Sequence, residues 1–328
     1  MLTLALPAEL ETVRARLEQG RPLDPDLART VLSHPDVLAV GALAEQVALR
    51  KWGRAAHYSS PLRLPLSPTC SEGCPVCAAL AEDAAEVHLI GDPLSLEDCE
   101  QRLRALRERR ADAWIAGLAP AHVARLGDPP EVLKRLQAAG LDALLGSDEE
   151  MFTDAGRKVA RSDVPDALSI HEAAHRAGLV STATIRYGPS IEGLLDQLLE
   201  LRAFQARSAG FSVFAAVPEE IETGSHLARS AGGYEDIRMV AAARLILDNI
   251  PHVRVPWTAL GLKMGQVALS FGADDLGWVP LDPHVKQFSH PATFLSLSEE
   301  EILRLAAANN RQARRVDGAW RPLSKETP

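Results

Sequence analysis

Cys70, Cys74 and Cys77 lie in the run CSEGCPVC, a C-x3-C-x2-C spacing that gathers three of the four cysteines of the chain onto one short stretch. Three thiolates so close together suit a shared metal partner, and no other feature constrains the chain as much. Iron–sulfur clusters are held by cysteine thiolates; three of them can ligate three irons of a 4Fe–4S cube and leave the fourth iron open to a ligand from outside the protein. A structural zinc site is a second use for such a set, although zinc ligands usually come as two short-spaced pairs and a second pair is missing here. A disulfide is a third use, in a chain without the cysteine density of a secreted scaffold. The remaining thiol, Cys99, shares an apolar helical stripe with Leu103 and Leu106 and reads as a packing residue.

The pattern around the cysteines is α/β. Residues 1–55 read as a helical N-terminal extension: Leu10, Val13 and Leu17 repeat on one face, Gly20 closes the turn, Asp24 caps the next helix, and a third helix runs from Val37 to Trp52. Over residues 56–290 short β-rich runs (LRLPL, EVHLIG, AWIAGLA, LDALLG, VSTATIRYG, FSVFAAV) alternate with amphipathic helices. Alternation of this kind means parallel βα units, and six or so in succession predict a TIM-type barrel, complete or partial. Residues 291–328 read as a C-terminal helix and tail, with LSKETP unstructured. The cysteine loop directly follows the strand Leu62–Leu66, the end of a barrel strand where chemistry is carried.

At 328 residues, 46% hydrophobic and 24% charged, the composition is that of an ordinary globular protein. A net charge of −9 argues against a partner held through nucleic-acid phosphates. Runs of 18 apolar residues are absent, so no membrane span is expected, and the N-terminus lacks a basic region and cleavage site. A cytoplasmic protein with reduced, metal-competent thiols is the expectation.

The C-x3-C-x2-C spacing resembles the signature of radical S-adenosylmethionine (SAM) enzymes. LAVGALAEQVALRKWGRAAHYSSPLRL, VLKRLQAAGLDALLGSDEEMF, IHEAAHRAGLVSTATIRYG and ARLILDNIPH…FGADDL resemble, with gaps over residues 8–280, aminofutalosine synthase of the futalosine route to menaquinone. Its sister enzymes are cyclic dehypoxanthine futalosine synthase and a component of deazaflavin synthesis. The resemblance implies a radical SAM barrel in which Cys70, Cys74 and Cys77 ligate a 4Fe–4S cluster and SAM occupies the open iron. It implies a transferase that adds the 5′-deoxyadenosyl radical to the double bond of 3-[(1-carboxyvinyl)oxy]benzoate, with aryl migration and loss of the carboxylate. SAM is then a co-substrate, and a reductant such as flavodoxin or ferredoxin supplies the electron. Cofactor contacts are implied at Val76, Gly91, Gly146, Glu150 and Tyr187; no catalytic side chain is assigned.

Departures from the family pattern gather at strand ends. Ser67-Pro68-Thr69 replaces an Asn-Pro-Thr-Asn-like run, Val76 an aromatic residue, Gly91-Asp92-Pro93-Leu94-Ser95 a Gly-Gly…His run, Gly146-Ser147-Asp148-Glu149-Glu150 a Gly-Gly-Gly-Ala-Glu run, and Pro189 a histidine. Asp148 and Glu149 add like charge where carboxylates are expected to bind. A diverged paralogue, non-catalytic or acting on another acceptor, is therefore the alternative.

His171-Glu172-Ala173-Ala174-His175 matches H-E-x-x-H, the helix of zinc hydrolases, while also fitting an ordinary βα unit ended by Gly178. Arg186 is suited to a substrate carboxylate, and Tyr187 and Gly188 to the pocket wall. In the C-terminal resemblance, Trp257 reads as packing and Asp274 as a modest site residue beside His252 and Asp275.

Overall fold

The helical opening of the chain forms three helices in the computed structural model, which describes residues 6–66, 84–146, 167–188, 190–223, 226–229, 232–279 and 297–323. Helix α1 (Ala8–Glu18) buries Leu10 and Val13, and Gly20, at φ 64°, turns the chain out of it. Helix α2 (Pro25–Ser33) is capped by Asp24, whose carboxylate accepts from the Leu27 N–H at 3.0 Å. Asp36 caps α3 (Val37–Trp52), which carries Arg50 and Lys51 in its last turn, where the macrodipole favours cations.

Two strands follow with only Ser60 and Pro61 between them, β1 (Ala55–Ser59) and β2 (Leu62–Pro65). Next come β3 (Glu86–Ile90), helix α4 (Leu96–Arg109), β4 (Trp114–Gly117), α5 (Pro120–Leu126), α6 (Pro129–Ala139), β5 (Ala143–Leu144), α7 (Ala167–Arg176), β6 (Val180–Tyr187), α8 (Ile191–Ser208) and β7 (Phe211–Pro218). A short antiparallel hairpin, β8 (Glu220–Thr223) and β9 (His226–Arg229), precedes α9 (Gly233–Ile246) and β10 (His252–Arg254). The chain then runs through α10 (Trp257–Leu260), α11 (Leu262–Ala268), β11 (Asp275–Trp278), α12 (Glu299–Ala307) and β12 (Gln312–Arg315).

The strands form one parallel ten-stranded sheet in the order β12-β1-β11-β10-β7-β6-β5-β4-β3-β2. Its ends meet through the chain itself, because β1 pairs with β11 while β2, two residues later and running the same way, pairs with β3. Pro61 has no N–H to give to a ladder, so the strand changes neighbours there. Counted as one bent strand, β1/β2 joins β3, β4, β5, β6, β7, β10 and β11 into the eight-strand βα order of a TIM-type barrel. The N-terminal helices, α1 to α3, pack against its outer layer as an extension. Helix α9 is buried on all sides, from Met239 to Ile246, since α3 covers the face turned away from the sheet.

The C-terminal segment is more ordered than a helix and tail. Ser298 caps α12 in a capping box, and β12 extends the sheet beside β1, with Ala56 opposite Ala313. Asp317 then accepts from Ala319 N and Arg321 N, both at 2.9 Å, and folds the chain under the barrel. Gly318 lies against Trp114 of β4, and Trp320 stacks on His252 of β10 at 4.3 Å between ring centres. The 317–320 turn thus crosses the N-terminal ends of strands on separate parts of the sheet. Residues 324–328 lie outside the described residues.

Beneath that turn is a fully buried, multiply hydrogen-bonded charge. Asp274 is fully buried; its Oδ1 accepts from the Arg244 guanidinium and, at 2.9 Å, from Val253 N, and its Oδ2 accepts from His252 Nδ1 at 2.6 Å. His57 Nδ1 lies 3.3 Å from the same oxygen. Burial opposes the charged carboxylate, but Arg244 and the hydrogen bonds from His252 and His57 outweigh it and hold the group below its ordinary range. Removing one partner of a buried ion pair strands the other charge. Asp274→Asn should therefore cost about 3–5 kcal/mol by chemical denaturation; a cost below about 1 kcal/mol would show that the pair does not hold α9 to the sheet.

Candidate functional site

Side chains alternate across a strand, and the helix-side neighbours of each strand identify which residues turn inward. On β2, Leu62, Leu64 and Leu66 belong to the core shared with helices α4 to α7, so Arg63 faces the lumen. On β3, Val87 and Leu89 join the same core, which turns Glu86, His88 and Ile90 inward. Ile185 and Tyr187 face the helices, as do Val253 and Val255, leaving Thr184, Arg186 and Arg254 on the lumen side.

The lumen is two-sided. Ile90, Ala116, Ala143 and Leu145 form an apolar cluster containing no helix residue. The other wall is polar. Glu86 Oε1 and His88 Nε2 lie 2.7 Å apart, both residues more than nine-tenths buried. In register with His88 on the next strand, Arg63 stacks its guanidinium 4.4 Å from the ring centre of Trp278. Between the neighbouring strands β10 and β11, Arg254 Nε donates to Asp275, its register partner, at 3.0 Å. Trp257 is buried packing, as its sequence context suggests, and donates to the Trp278 carbonyl at 3.2 Å. Leu118, just past the end of β4, is held at φ 58° with no glycine to relieve it; its carbonyl accepts from Leu145 N at 3.1 Å.

The structure brings only part of the sequence-derived site together. Cys70, Cys74, Cys77, Val76 and Glu150 lie outside the described residues, as do Asp148 and Glu149. Described chain stops at Leu66, one residue past β2, and the first cysteine is four residues further on. Gly91 ends β3 at φ 88°, a conformation that requires glycine, and no described atom lies within 4 Å of where a Cβ would stand. Gly146 closes the segment after β5. Tyr187 faces outward: its hydroxyl donates to Asp236 of α9, and it lines a cavity of about 250 Å³ with Leu32, Ser190, Tyr234 and Arg238. Asp274 and His252 sit at the N-terminal end of the strands, opposite the expected mouth. The His57, His252 and Asp274 donor atoms lie within 4.8 Å of one another, a spacing compatible with a metal. Arg244 already balances that carboxylate, and a dication would stand against the guanidinium. The group is a structural buttress.

The H-E-x-x-H helix is α7, and its histidines are turned to packing. His171 Nδ1 and His175 Nε2 each lie 2.9 Å from the Ser181 hydroxyl, and both rings contact Phe211 edge-on. Glu172 pairs instead with Arg176 at 2.8 Å, on the outer side of the helix. Burial lowers His171 to about 3, with His175 adding to the effect, and lowers His175 to about 4. Cys99 is buried, and burial raises its thiol to about 11, as befits a packing residue.

Reading by motif missed Glu86, His88 and Arg63. The signal was present: EVHLI places two ionisable residues at i and i+2 on one face of an otherwise apolar strand.

A parallel βα barrel whose second strand is followed in sequence by a C-x3-C-x2-C run matches a class, the radical SAM barrel. The FeFe-hydrogenase maturase HydG of Carboxydothermus hydrogenoformans superposes with a TM-score of 0.65 at 13% identity, covering 95% of this chain and 81% of that one, and so shares the fold. Residues 215–325 match the profile of the CofH/MqnC C-terminal region, which runs from the second half of β7 through β12. The aminodeoxyfutalosine synthase of Thermus thermophilus is 28% identical over 95% of both chains. A 5-amino-6-(D-ribitylamino)uracil–L-tyrosine 4-hydroxyphenyl transferase of Methanosarcina barkeri is 30% identical over 75% of each chain. The chain belongs to the CofH/MqnC family of radical SAM enzymes. Among the described residues no helix is long and apolar enough to cross a membrane.

The α7 histidines give the fold a pH signature. In the unfolded chain they take up protons as pH falls through 6.5, whereas in the folded chain they stay neutral down to about 4 and about 3. Stability is therefore full above pH 6.5 and declines towards pH 4. The His171→Gln/His175→Gln variant should lose Tm less steeply than wild type between pH 7 and about 4.5; parallel slopes in thermal unfolding would contradict the assignment.

Proposed function

We propose that the chain is a radical SAM transferase of the aminofutalosine synthase type, acting on 3-[(1-carboxyvinyl)oxy]benzoate. The observation that carries this reading is the arginine-bearing, half-polar lumen beside the strand that leads in sequence to the cysteines. Arg63, Arg186 and Arg254 turn inward in a protein of net charge −9, and an aryl enol ether with two carboxylates has the charge and shape for such a wall. The apolar side formed by Ile90, Ala116, Ala143 and Leu145 suits the ring.

The donor set of Cys70, Cys74 and Cys77 fits a 4Fe–4S cluster with one open iron, and SAM would take that iron. Bound there, the group supplies the electron that cleaves SAM to the adenosyl radical. The work of the protein is different. Inward guanidiniums orient the carboxylates, the apolar wall keeps water from the reacting carbons, and the turn carrying Trp320 crosses the opposite end. Flavodoxin or ferredoxin is the proposed reductant.

The departures at residues 91–95 and 146–150 favour a second reading, in which the barrel is retained and the acceptor differs. Anaerobic reconstitution with iron and sulfide, then SAM, dithionite and the benzoate, separates the two. The first reading expects aminofutalosine and methionine by mass spectrometry, and a rise in KM of about tenfold or more for Arg186→Leu, the worth of a charge-assisted hydrogen bond. An intact cluster that yields no aminofutalosine would overturn it; product from 5-amino-6-(D-ribitylamino)uracil and tyrosine instead would establish the second.

A further inference from the structure

We propose that the cavity where the end of α2 meets the N-terminal halves of α8 and α9 binds a small aromatic carboxylate, at a site separate from the lumen. The proposal does not depend on the aminofutalosine synthase reading, because it concerns the outer side of the barrel wall and holds whichever acceptor the lumen takes.

The space suits one ring with a polar group attached. An apolar cavity of about 150 Å³ holds benzene; this one has a volume of about 250 Å³. Its wall is apolar over Leu32, Ile191, Leu194 and Met239, and the rings of Tyr187 and Tyr234 complete it. Ligand sites have this character, a mostly apolar and aromatic wall with a few placed polar groups.

The polar groups of the wall decide the charge of the occupant. Both phenols are committed: Tyr187 donates to Asp236, and Tyr234 donates to the Pro35 carbonyl at 2.5 Å. Glu235 turns Oε2 to the Gly232 N–H at 3.0 Å and closes the start of α9. Arg238 is different. Its Nη1 donates to the carbonyls of Leu32 at 2.8 Å and His34 at 2.9 Å, and its guanidinium lies 5.0 Å from the ring centre of Tyr234. Those contacts hold the guanidinium in place, while Nε and Nη2 have no hydrogen-bond partner among the described residues. Nε and Nη2 share one edge of the group, the edge that takes a carboxylate through two parallel hydrogen bonds. An arginine fixed on one side and open on the other is preorganised for such a ligand. Ser190, at the start of α8, has a hydroxyl that caps nothing and adds a further donor to the same wall.

The position gives the site a structural consequence. Tyr187 ends β6 facing the helices, and Arg186, the residue before it, turns into the lumen. The cavity therefore backs onto the lumen wall, with α2 of the N-terminal extension as its other side. An occupant touches both the extension and the barrel.

The test uses benzoate as the probe, read at the Met239 methyl in the reconstituted full chain labelled with 13C-methyl methionine. The chain has four methionines, so the signal is identified by its loss in Met239→Leu. Benzoate should shift it saturably. Benzyl alcohol, which keeps the ring and lacks the charge, should bind about tenfold more weakly or worse, and acetate, which lacks the ring, should give no saturable shift over the same range. Ile191→Trp, which sets an indole in the cavity, should raise the benzoate Kd by about tenfold or more, and so should Arg238→Met, which removes the charge. Ile191→Trp leaves the Arg238 ties to α2 intact and decides the matter if Arg238→Met does not fold. Arg186→Leu, a change on the lumen side, should leave the Kd within about twofold. The proposal is overturned if benzoate gives no saturable shift at Met239, if benzyl alcohol matches benzoate, or if Arg186→Leu abolishes the shift while Ile191→Trp keeps it, which places the probe in the lumen.

Discussion

The architecture turns on one bent strand. Residues 55–65 serve β11 with their first half and β3 with their second, and Pro61 is where the ladder must change sides. The hydrogen bonds across the break are specific: Val279 N donates to the Ser59 carbonyl at 2.9 Å, and Leu66 N to the Ile90 carbonyl at 2.8 Å. Without this double service the sheet would have two long open edges, which invite mispairing. The same strand leads in sequence to Cys70, so the segment that closes the barrel also opens the cysteine run. Arg63, stacked on Trp278 across the junction, ties the chemistry of the lumen to that closure.

The opposite end is secured by charge. Arg244 on the fully buried helix α9 meets Asp274 at the foot of β11, with two histidines and two tryptophans around them. His252 is sandwiched between Trp52 of α3 and Trp320 of the C-terminal turn, with ring centres 4.2 and 4.3 Å away. One small cluster therefore joins the N-terminal extension, the barrel and the C-terminus.

Much of this was legible in the residues. Helix α3 runs over Val37–Trp52 as its periodicity indicates, Asp24 and Gly20 act as punctuation, and the six β-rich runs are strands. Cys99 is buried as its helical stripe implies. Other elements were not legible, for physical reasons. The strands HVR and DLGW are three and four residues long, too short to show a period, and exist because their neighbours supply the ladder. β12 buries none of its residues and alternates only between exposed and half-buried positions, and three of its four side chains are polar, so nothing local marked QARR as a strand. Tyr187 looked like a pocket residue because it ends a strand, but alternation turns it to the helices. The C-terminal resemblance suggested a modest site role for Asp274; in the structure it lies at the N-terminal end of β11, buried against Arg244. Glu86 and His88 belong to no motif; their only mark in the sequence is that two polar residues break an apolar strand pattern.

The proposed function rests on Cys70, Cys74 and Cys77 holding a cluster whose fourth iron would be open to SAM. Electron paramagnetic resonance of the anaerobically reconstituted, dithionite-reduced protein tests that most directly. Addition of SAM should shift the signal of the reduced cluster as the open iron gains a ligand. A spectrum unchanged by saturating SAM, in protein with four irons and four sulfides per chain, would contradict it.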